Sequence, residues 1–287
     1  MSTLNLYSNH DGQDLTIQHI ESGLSEEELR RRKSKVASLF DRLDERKHTA
    51  LKELFEMTRP IEPTDLILDV GCGLGETARF LASKYMADVV GIEVTEEFVS
   101  VGRILTEKAD LEDKVKLVRG SPRHLPFSND TFSIILLDHI SMDVPDISAF
   151  FGEISRVLKH SGRVLFRDVF LGPLTAKPIH SSSNDVCESV ASFETVRRAA
   201  AEASLYVAQC LDVTSKEMEF LRSPTFEKNY QEHDLAHLYP TTSFEKEEAD
   251  LKMKHYIDNM AKGRTVLLMG VMTKMGEPYT HGKSRSK

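Results

Sequence analysis

Residues 66–76 read LILDVGCGLGE and decide the fold class of the chain. A short apolar run stops at Gly71, two more glycines follow at alternate positions, and a pattern with helical spacing starts at Glu76. Apolar runs bounded by glycine are typical of strands buried on both faces of a parallel sheet. Glycine provides the backbone freedom for a sharp turn and lets a ligand approach the main chain. The stretch therefore predicts a strand, a ligand-binding turn and a helix.

The same alternation of strand and helix patterns continues along the chain. The predicted strands cover 66–70, 89–94, 115–119, 132–137, 163–169, 206–213 and 265–274. The predicted helices cover 76–84, 96–109, 147–158 and 193–204. A turn is expected at Ser161-Gly162, before the fifth strand. Such alternation predicts an α/β fold with a mostly parallel sheet that is covered by helices on both faces.

Three further segments surround or interrupt this pattern. Residues 1–60 are predicted to form a polar arm followed by a helical lid. Residues 61–275 form the main domain, with a predicted helical cap insertion at 214–262. The polar residues 276–287 are expected to form a flexible tail.

Composition and charge argue against several classes of function. The chain of 287 residues has 37 Lys and Arg against 45 Asp and Glu, so its net charge of −8 disfavours a nucleic-acid partner. No apolar run approaches the roughly 18 residues of a membrane span. The cysteines are few and scattered, which predicts neither a disulfide framework nor a cysteine metal site. The first residues lack the pattern of a secretion signal, so we expect a cytoplasmic protein.

An acidic residue at the end of the second strand narrows the class of ligand. Glu93 follows Gly75 by 18 residues, where a carboxylate can accept hydrogen bonds from both hydroxyls of a ribose. The pattern thus predicts an adenosine-like ligand. A dinucleotide fingerprint would need glycine or alanine where this chain has Glu76, and that charge would oppose a pyrophosphate at the helix N-terminus. A phosphate-free, zwitterionic ligand is favoured.

The chain resembles the class I S-adenosylmethionine-dependent methyltransferases in four features. They are the motif Asp69-x-Gly-x-Gly-x-Gly75, Glu93, the Leu125-Pro126-Phe127 loop and an antiparallel last strand. The resemblance implies a Rossmann-like, seven-stranded, mostly parallel sheet and S-adenosylmethionine as cofactor. Shorter stretches are similar to sarcosine/dimethylglycine N-methyltransferases, a layout that sterol methyltransferases largely share: Gly12–Asp14, Gly120-Ser121, His255–Ile257 and Gly263-Arg264.

This resemblance also implies a set of cofactor-binding residues. The glycine turn would line the methionine end, Glu93 would hold the ribose, and Leu74 and Val94 would flank the adenosine. Ser121 stands where many relatives carry an Asp that contacts adenine. Cys72 is included because it lies within the turn, although its side chain is expected to be a small buried one. The implied set is Asp69, Gly71, Cys72, Gly73, Gly75, Glu93, Val94, Ser121 and Asp138.

The end of the fourth strand supplies the candidate catalytic residues. Ligands of open α/β sheets bind at the carboxyl ends of the strands, so Asp138 and His139 are predicted to point toward the transferred methyl group. His139 can be a base or a group that orients the acceptor, or it can be a structural residue at a helix start. Enzymes that methylate exocyclic amines on DNA or protein amides resemble one another in an Asn/Asp-Pro-Pro-aromatic tetrapeptide after this strand; none follows here, which argues against those substrates. No cluster of metal ligands is predicted.

The acceptor is predicted only by class. We expect a small molecule, first an amine such as sarcosine or dimethylglycine, and alternatively a sterol-like or other small metabolite methylated on carbon or sulfur. Arg167 or Arg222 could bind an acceptor carboxylate. Tyr230, Tyr239 and Tyr256 could surround an ammonium, although packing is the simpler interpretation. Two other classes stay open: a regulatory protein that binds the cofactor without turnover, and a nicotinamide oxidoreductase. A homo-oligomer is possible.

Overall fold

The computed structural model describes most of the predicted α/β domain. The described residues are 44–140, 146–173, 178–179, 190–224, 226 and 243–274. The predicted arm, the first part of the predicted lid and the predicted tail lie outside these ranges, as do Tyr230 and Tyr239 of the insertion.

Seven strands form one sheet in the order β3-β2-β1-β4-β5-β7-β6. Strand β7 runs antiparallel to β5 and β6, while β1 to β5 pair in parallel. The strands are β1 Leu66–Val70, β2 Asp88–Glu93, β3 Val115–Arg119, β4 Phe132–Asp138, β5 Leu158–Leu171, β6 Leu205–Asp212 and β7 Thr265–Lys274. The predicted Rossmann-like, mostly parallel sheet with an antiparallel last strand is thereby confirmed.

The helices lie between the strands as the sequence pattern predicts. They are α1 Asp44–Glu56, α2 Glu76–Tyr85, α3 Glu96–Lys108, α4 Ile147–Val157, α5 Phe193–Glu202, α6 Thr214–Leu221 and α7 Ser243–Ala261. Helices α6 and α7 occupy described parts of the predicted insertion. Across the described ranges, no helix combines the length and apolarity needed to cross a bilayer.

The start of β5 differs from the expectation. Strand β5 begins at Leu158, and the predicted turn at Ser161-Gly162 lies inside it. Phe132 of β4 pairs with Leu158, whereas Ile134, two residues on, pairs with Arg163. Between these two pairs β5 therefore has more residues than β4, which is a register shift of the bulge type. The residues predicted to form a turn lie within this irregular part of the strand.

The core consists of two layers, one on each face of the sheet. Neighbouring residues alternate between them: Ile67 belongs to one cluster and Leu68 to the other. On the first face α1, α2, α3, α6 and α7 contribute side chains, and on the second face α4 and α5 do so. Burial on both faces explains why these strands read as continuous apolar runs. Leu51 and Leu54 are fully buried, so the described end of the predicted lid is a core helix.

Asp65 fixes the chain where it enters β1. Its carboxylate, 4% exposed, accepts hydrogen bonds from Arg59 Nη1 and Nη2 at 3.0 and 2.8 Å and from the Glu62 N–H at 2.9 Å. Burial raises the pKa of the Asp65 carboxyl, but the hydrogen bonds from Arg59 and Glu62 outweigh burial, so this pKa lies below its ordinary value. The ionised carboxylate therefore stabilises the folded chain.

We expect Asp65→Asn to lower the free energy of unfolding at pH 7 by about 2 kcal/mol, because a charged hydrogen-bond network is broken. Since the folded pKa is depressed, this contribution is present above the unfolded pKa of about 3.9 and is lost as the pH falls through the folded value. Urea unfolding of both proteins should show a difference that shrinks below about pH 4. Glu97→Gln, at an exposed position, is the control. A difference that stays constant on acidification would contradict the assignment.

Candidate active site

The turn after β1 is held in its shape by main-chain hydrogen bonds to β2. Gly71, Gly73 and Gly75 have φ values of 71°, 54° and 76°, a region that glycine adopts at little cost. The N–H groups of Gly71 and Cys72 both donate to the Ile92 carbonyl, at 2.8 and 3.1 Å. The turn is therefore fixed to the carboxyl end of the neighbouring parallel strand.

The three glycines of the turn differ in what surrounds them. A Cβ at Gly75 would lie 2.6 Å from Leu117 Cδ1, and one at Gly71 would lie 3.1 Å from Ile140 Cγ2. A Cβ at Gly73 would meet nothing within 4 Å. A methyl group at Gly71 or Gly75 would press on the Ile140 or Leu117 side chain, whereas Gly73 has open space beside it.

Cys72 contributes its side chain to packing. A Cβ at Gly91 of β2 would lie 2.6 Å from Cys72 Sγ, so the thiol rests directly against that strand. Burial, followed by the nearby charges of Asp69 and Glu93, raises the pKa of the Cys72 thiol well above its ordinary range. The geometry favours the interpretation of Cys72 as a small buried residue whose main chain alone belongs to the turn.

Glu93 binds the turn as well as ending β2. Its Oε2 accepts the Gly73 N–H at 3.1 Å, and its Oε1 accepts the N–H groups of Val94 and Thr95 at 2.8 and 3.0 Å. A carboxylate has about four acceptor positions, and three are used here, so one position on Oε2 is left for a ribose hydroxyl. The sequence pattern predicted hydrogen bonds from both ribose hydroxyls. The tie to Gly73 was not predicted, because spacing gives no information on which main-chain groups a side chain reaches.

The other predicted cofactor residues lie at the same edge of the sheet. Asp69 is buried in β1, and Val94, directly after β2, is 56% exposed. Ser121 follows β3, where its Oγ accepts the Arg123 N–H at 3.3 Å and its carbonyl accepts the His124 N–H at 3.0 Å. Val94 and Ser121 follow adjacent parallel strands, so the register brings them to one side of the glycine turn.

Asp138 is the last residue of β4, and His139 follows it. Arg167, its register partner on β5, donates Nε to Oδ1 at 2.8 Å and Nη2 to Oδ2 at 3.4 Å. Both side chains are 6% exposed. The Asp138 carboxylate is therefore bound to a guanidinium, and its role as a catalytic or cofactor-binding residue stays a prediction. His139 has an exposed side chain, a φ of 51°, and an N–H that donates to the Arg167 carbonyl at 2.8 Å.

Arg167 was a candidate to bind an acceptor carboxylate, but its guanidinium is already paired with Asp138. Burial lowers its pKa, but the charge and hydrogen bonds of Asp138 and the charge of Glu217 outweigh burial, and the pKa is raised. It lines a cavity of about 50 Å³, room for a few water molecules. The other lining residues are Thr49, Ala50, Glu53, Val213, Lys216, Glu217, Leu267 and Met269. Among them, Lys216 Nζ pairs with Glu53 Oε2 at 2.9 Å.

The remaining acceptor candidates are not brought together. Arg222 is exposed at the end of α6 and does not line this cavity. Of the three tyrosines only Tyr256 is described, and it packs half-buried against the first core layer. Within the described ranges, no group of three or more His, Cys, Asp or Glu residues is placed to hold a metal ion.

One contact at this edge had no signal in the sequence. The Asn259 side chain of α7 pairs with the main chain of Ile179: Oδ1 accepts the N–H at 2.9 Å, and Nδ2 donates to the carbonyl at 3.0 Å. These bonds join the segment after β5 to the helix that leads into β7. A side-chain amide with a partner 80 residues away leaves no periodic pattern.

The central part of the chain is similar to known methyltransferases. Residues 68–166 match the family model of a methyltransferase domain. The chain is 35% identical over 102 residues to a sterol 24-C-methyltransferase of Gibberella zeae. The aligned residues are 36% of this chain and 27% of that protein. It is 33% identical over 108 residues to a glycine/sarcosine/dimethylglycine N-methyltransferase of Actinopolyspora halophila, covering 38% of this chain and 19% of that protein. The chain thus spans about a quarter of the length of these curated relatives or less.

Similarity to solved structures extends over more of the chain. The geranyl diphosphate C-methyltransferase of Streptomyces coelicolor A3(2), solved with Mg²⁺, geranyl diphosphate and S-adenosyl-L-homocysteine, aligns with a TM-score of 0.64. The alignment covers 80% of this chain and 79% of that one at 18% identity, a level at which the likeness concerns the fold. Residues 68–166 therefore match the methyltransferase domain family, and the chain has the fold of the class I S-adenosylmethionine-dependent methyltransferases.

Proposed function

We propose that this protein is an S-adenosylmethionine-dependent methyltransferase that acts on a small-molecule acceptor. The observation that carries the proposal is the joint geometry of Gly73 and Glu93. Gly73 has open space beside its main chain, and its N–H is bound to the carboxylate that has one acceptor position left. A fold alone does not define an activity, so the proposal rests on this site.

The residues at the turn fit the cofactor. Gly71, Gly73 and the main chain of Cys72 would face its methionine end, and Glu93 would hold a ribose hydroxyl. The exposed apolar side chain of Val94 suits one face of an adenine, and Ser121 closes the same side. When bound, the cofactor supplies an electrophilic methyl group to an in-line displacement. The main task of the chain is to orient the acceptor, since well-positioned reactants gain about 7 to 11 kcal/mol.

His139 is the group at the end of β4 that we assign to the acceptor. The residue is exposed, and an imidazole is a group that can accept a proton from an amine or orient it. Asp138 is bound to Arg167, so the role of proton acceptor falls to His139 alone. This assignment keeps one of the two catalytic residues that the sequence pattern indicated.

Within this activity we propose an amine acceptor, with carbon or sulfur methylation as the alternative. The similarity to a glycine/sarcosine/dimethylglycine N-methyltransferase supports the first and the similarity to a sterol 24-C-methyltransferase supports the second. Each similarity covers less than two-fifths of this chain. Arg167 is paired with Asp138, so the proposed amine does not depend on a carboxylate bound by that side chain. A cytoplasmic location stays a prediction.

Glu93→Ala should weaken the binding of S-adenosylmethionine by about 10- to 100-fold, because a charged hydrogen bond to the ribose and the tie to Gly73 are both lost. Isothermal titration of both proteins measures the change. Glu97→Ala, exposed in the first turn of α3, is the matched control and should bind normally. Undiminished affinity of the Glu93 variant would contradict the site.

Gly73→Ala and Gly75→Ala should separate ligand contact from packing. At Gly73 the added methyl meets open space, so we expect a small loss of stability, about 1 kcal/mol for the left-handed backbone, and a larger loss of cofactor affinity. At Gly75 the methyl would lie 2.6 Å from Leu117 Cδ1, so we expect a larger loss of stability than at Gly73. Thermal unfolding and titration calorimetry on both variants measure the two losses. A larger loss of affinity in the Gly75 variant with stability unchanged, and unchanged affinity in the Gly73 variant, would contradict the assignment of the ligand to Gly73.

An acceptor screen tests the activity itself. The protein is incubated with S-adenosylmethionine and, separately, with glycine, sarcosine, dimethylglycine, phosphoethanolamine, thioethers and a sterol, and S-adenosylhomocysteine is measured by mass spectrometry. We expect turnover with an amine. Turnover with a thioether or the sterol alone would favour the alternative. Tight binding of the cofactor with no turnover would favour a regulatory protein, and binding of NAD in its place would favour an oxidoreductase.

A further inference from the structure

The ion pair between Asp138 and Arg167 lies at the carboxyl edge of the sheet, on the neighbouring strands β4 and β5. Both side chains are 6% exposed, and the Nε–Oδ1 distance is 2.8 Å. A buried ion pair of this kind is often no more stabilising than well-packed apolar side chains of similar volume, because both charges lose their hydration. Stability is therefore a weak explanation for its presence at this edge.

Arg167 holds two consecutive residues at the end of β4. Its guanidinium binds the Asp138 carboxylate, and its own carbonyl accepts the His139 N–H at 2.8 Å. His139 has a φ of 51°, a left-handed conformation that is uncommon outside glycine and that persists where the surroundings impose it. The strand end is thus held by β5 through both the main chain and the side chain of one residue.

The next residue links this strand end to the cofactor turn. A Cβ at Gly71 would lie 3.1 Å from Ile140 Cγ2, so the Ile140 side chain packs directly against the first glycine of the turn. Residues 138–140 therefore form a short bridge with Arg167 at one end and the glycine turn at the other. A shift of the ion pair would move the His139 backbone relative to the turn.

We propose that Arg167 is a positioning residue for methyl transfer, which fixes Asp138 and His139 and so sets where the His139 imidazole stands relative to the glycine turn. This inference rests on the proposed function. It replaces two roles that the sequence allowed, Asp138 as a catalytic residue and Arg167 as the ligand of an acceptor carboxylate. An acceptor carboxylate at Arg167 would meet Asp138 and also Glu217, which lines the same cavity.

The test replaces the pair by apolar side chains of similar size. In Asp138→Leu/Arg167→Met no buried charge is left without its partner in the pair, so the thermal midpoint should stay within about 5 °C of wild type. The Kd for S-adenosylmethionine should stay within about threefold. We expect kcat to fall about 10- to 100-fold, because a misplaced group loses alignment with the acceptor. Hydrogen exchange of the His139 amide should become about tenfold faster.

Three outcomes would overturn the inference. Full activity in a stable double variant would mean that the pair is only structural. A raised KM for acceptors that carry a carboxylate, with kcat unchanged, would make Arg167 their ligand. Unchanged exchange at the His139 amide would remove the link between Arg167 and the strand end. Arg167→Lys, which keeps the charge but not the forked geometry, should lie between wild type and the double variant in kcat.

The control and the exchange measurement separate this inference from the proposed function. Glu194→Leu/Arg197→Met removes an exposed ion pair on α5 and should leave kcat and the His139 amide unchanged. If the wild type methylates no acceptor, the proposed function fails. The exchange rate of the His139 amide and the Kd for the cofactor then still decide whether Arg167 positions the end of β4.

Discussion

The hydrogen bonds between the glycine turn and the end of β2 are the constraint on which the site depends. Three left-handed glycines at alternate positions leave a loop with little intrinsic preference for one shape. The Ile92 carbonyl fixes the first part of the turn by accepting two N–H groups, and Glu93 fixes the middle by accepting the Gly73 N–H. Since β1 and β2 are parallel neighbours, their ends meet at one edge. The residue predicted to bind the ribose is therefore also part of the frame that presents the open main chain.

Most of the fold could be predicted from the sequence, because each element is written in a local pattern. Continuous apolar runs mark strands buried on two faces, and glycine or proline marks their ends. The Leu66–Val70 strand and the helix that starts at Glu76 lie where the pattern placed them. The early start of β5 was not predicted, since a Ser-Gly pair has the same appearance in a turn between elements and in a register shift within a strand.

The site was predictable in proportion to how local its interactions are. The positions of the glycines and of Glu93 follow from one strand, one turn and the next strand end. The partners of these groups do not, because they depend on register. Arg167 lies 29 residues from Asp138, and only the pairing of β4 with β5 places them side by side. A carboxylate at a strand end therefore reads as catalytic in the sequence and as half of an ion pair in the structure.

Under the proposed function, the same difference separates two parts of the chain: one whose site residues follow from local sequence, and one whose contacts depend on strand register. The family match covers 68–166, the part of the chain that contains the glycine turn, and Arg167 is the first residue beyond it. Beyond it, the carboxyl edge of the sheet is flanked by elements that lie far apart in sequence: α6, α7 and the segment at Ile179 that Asn259 binds. Arg167 contacts both sides, through the end of β4 and through the cavity it shares with α1 and α6. Under the proposed function, a change on that side would be transmitted to the glycine turn through Arg167, because its carbonyl accepts the His139 N–H and its guanidinium binds Asp138.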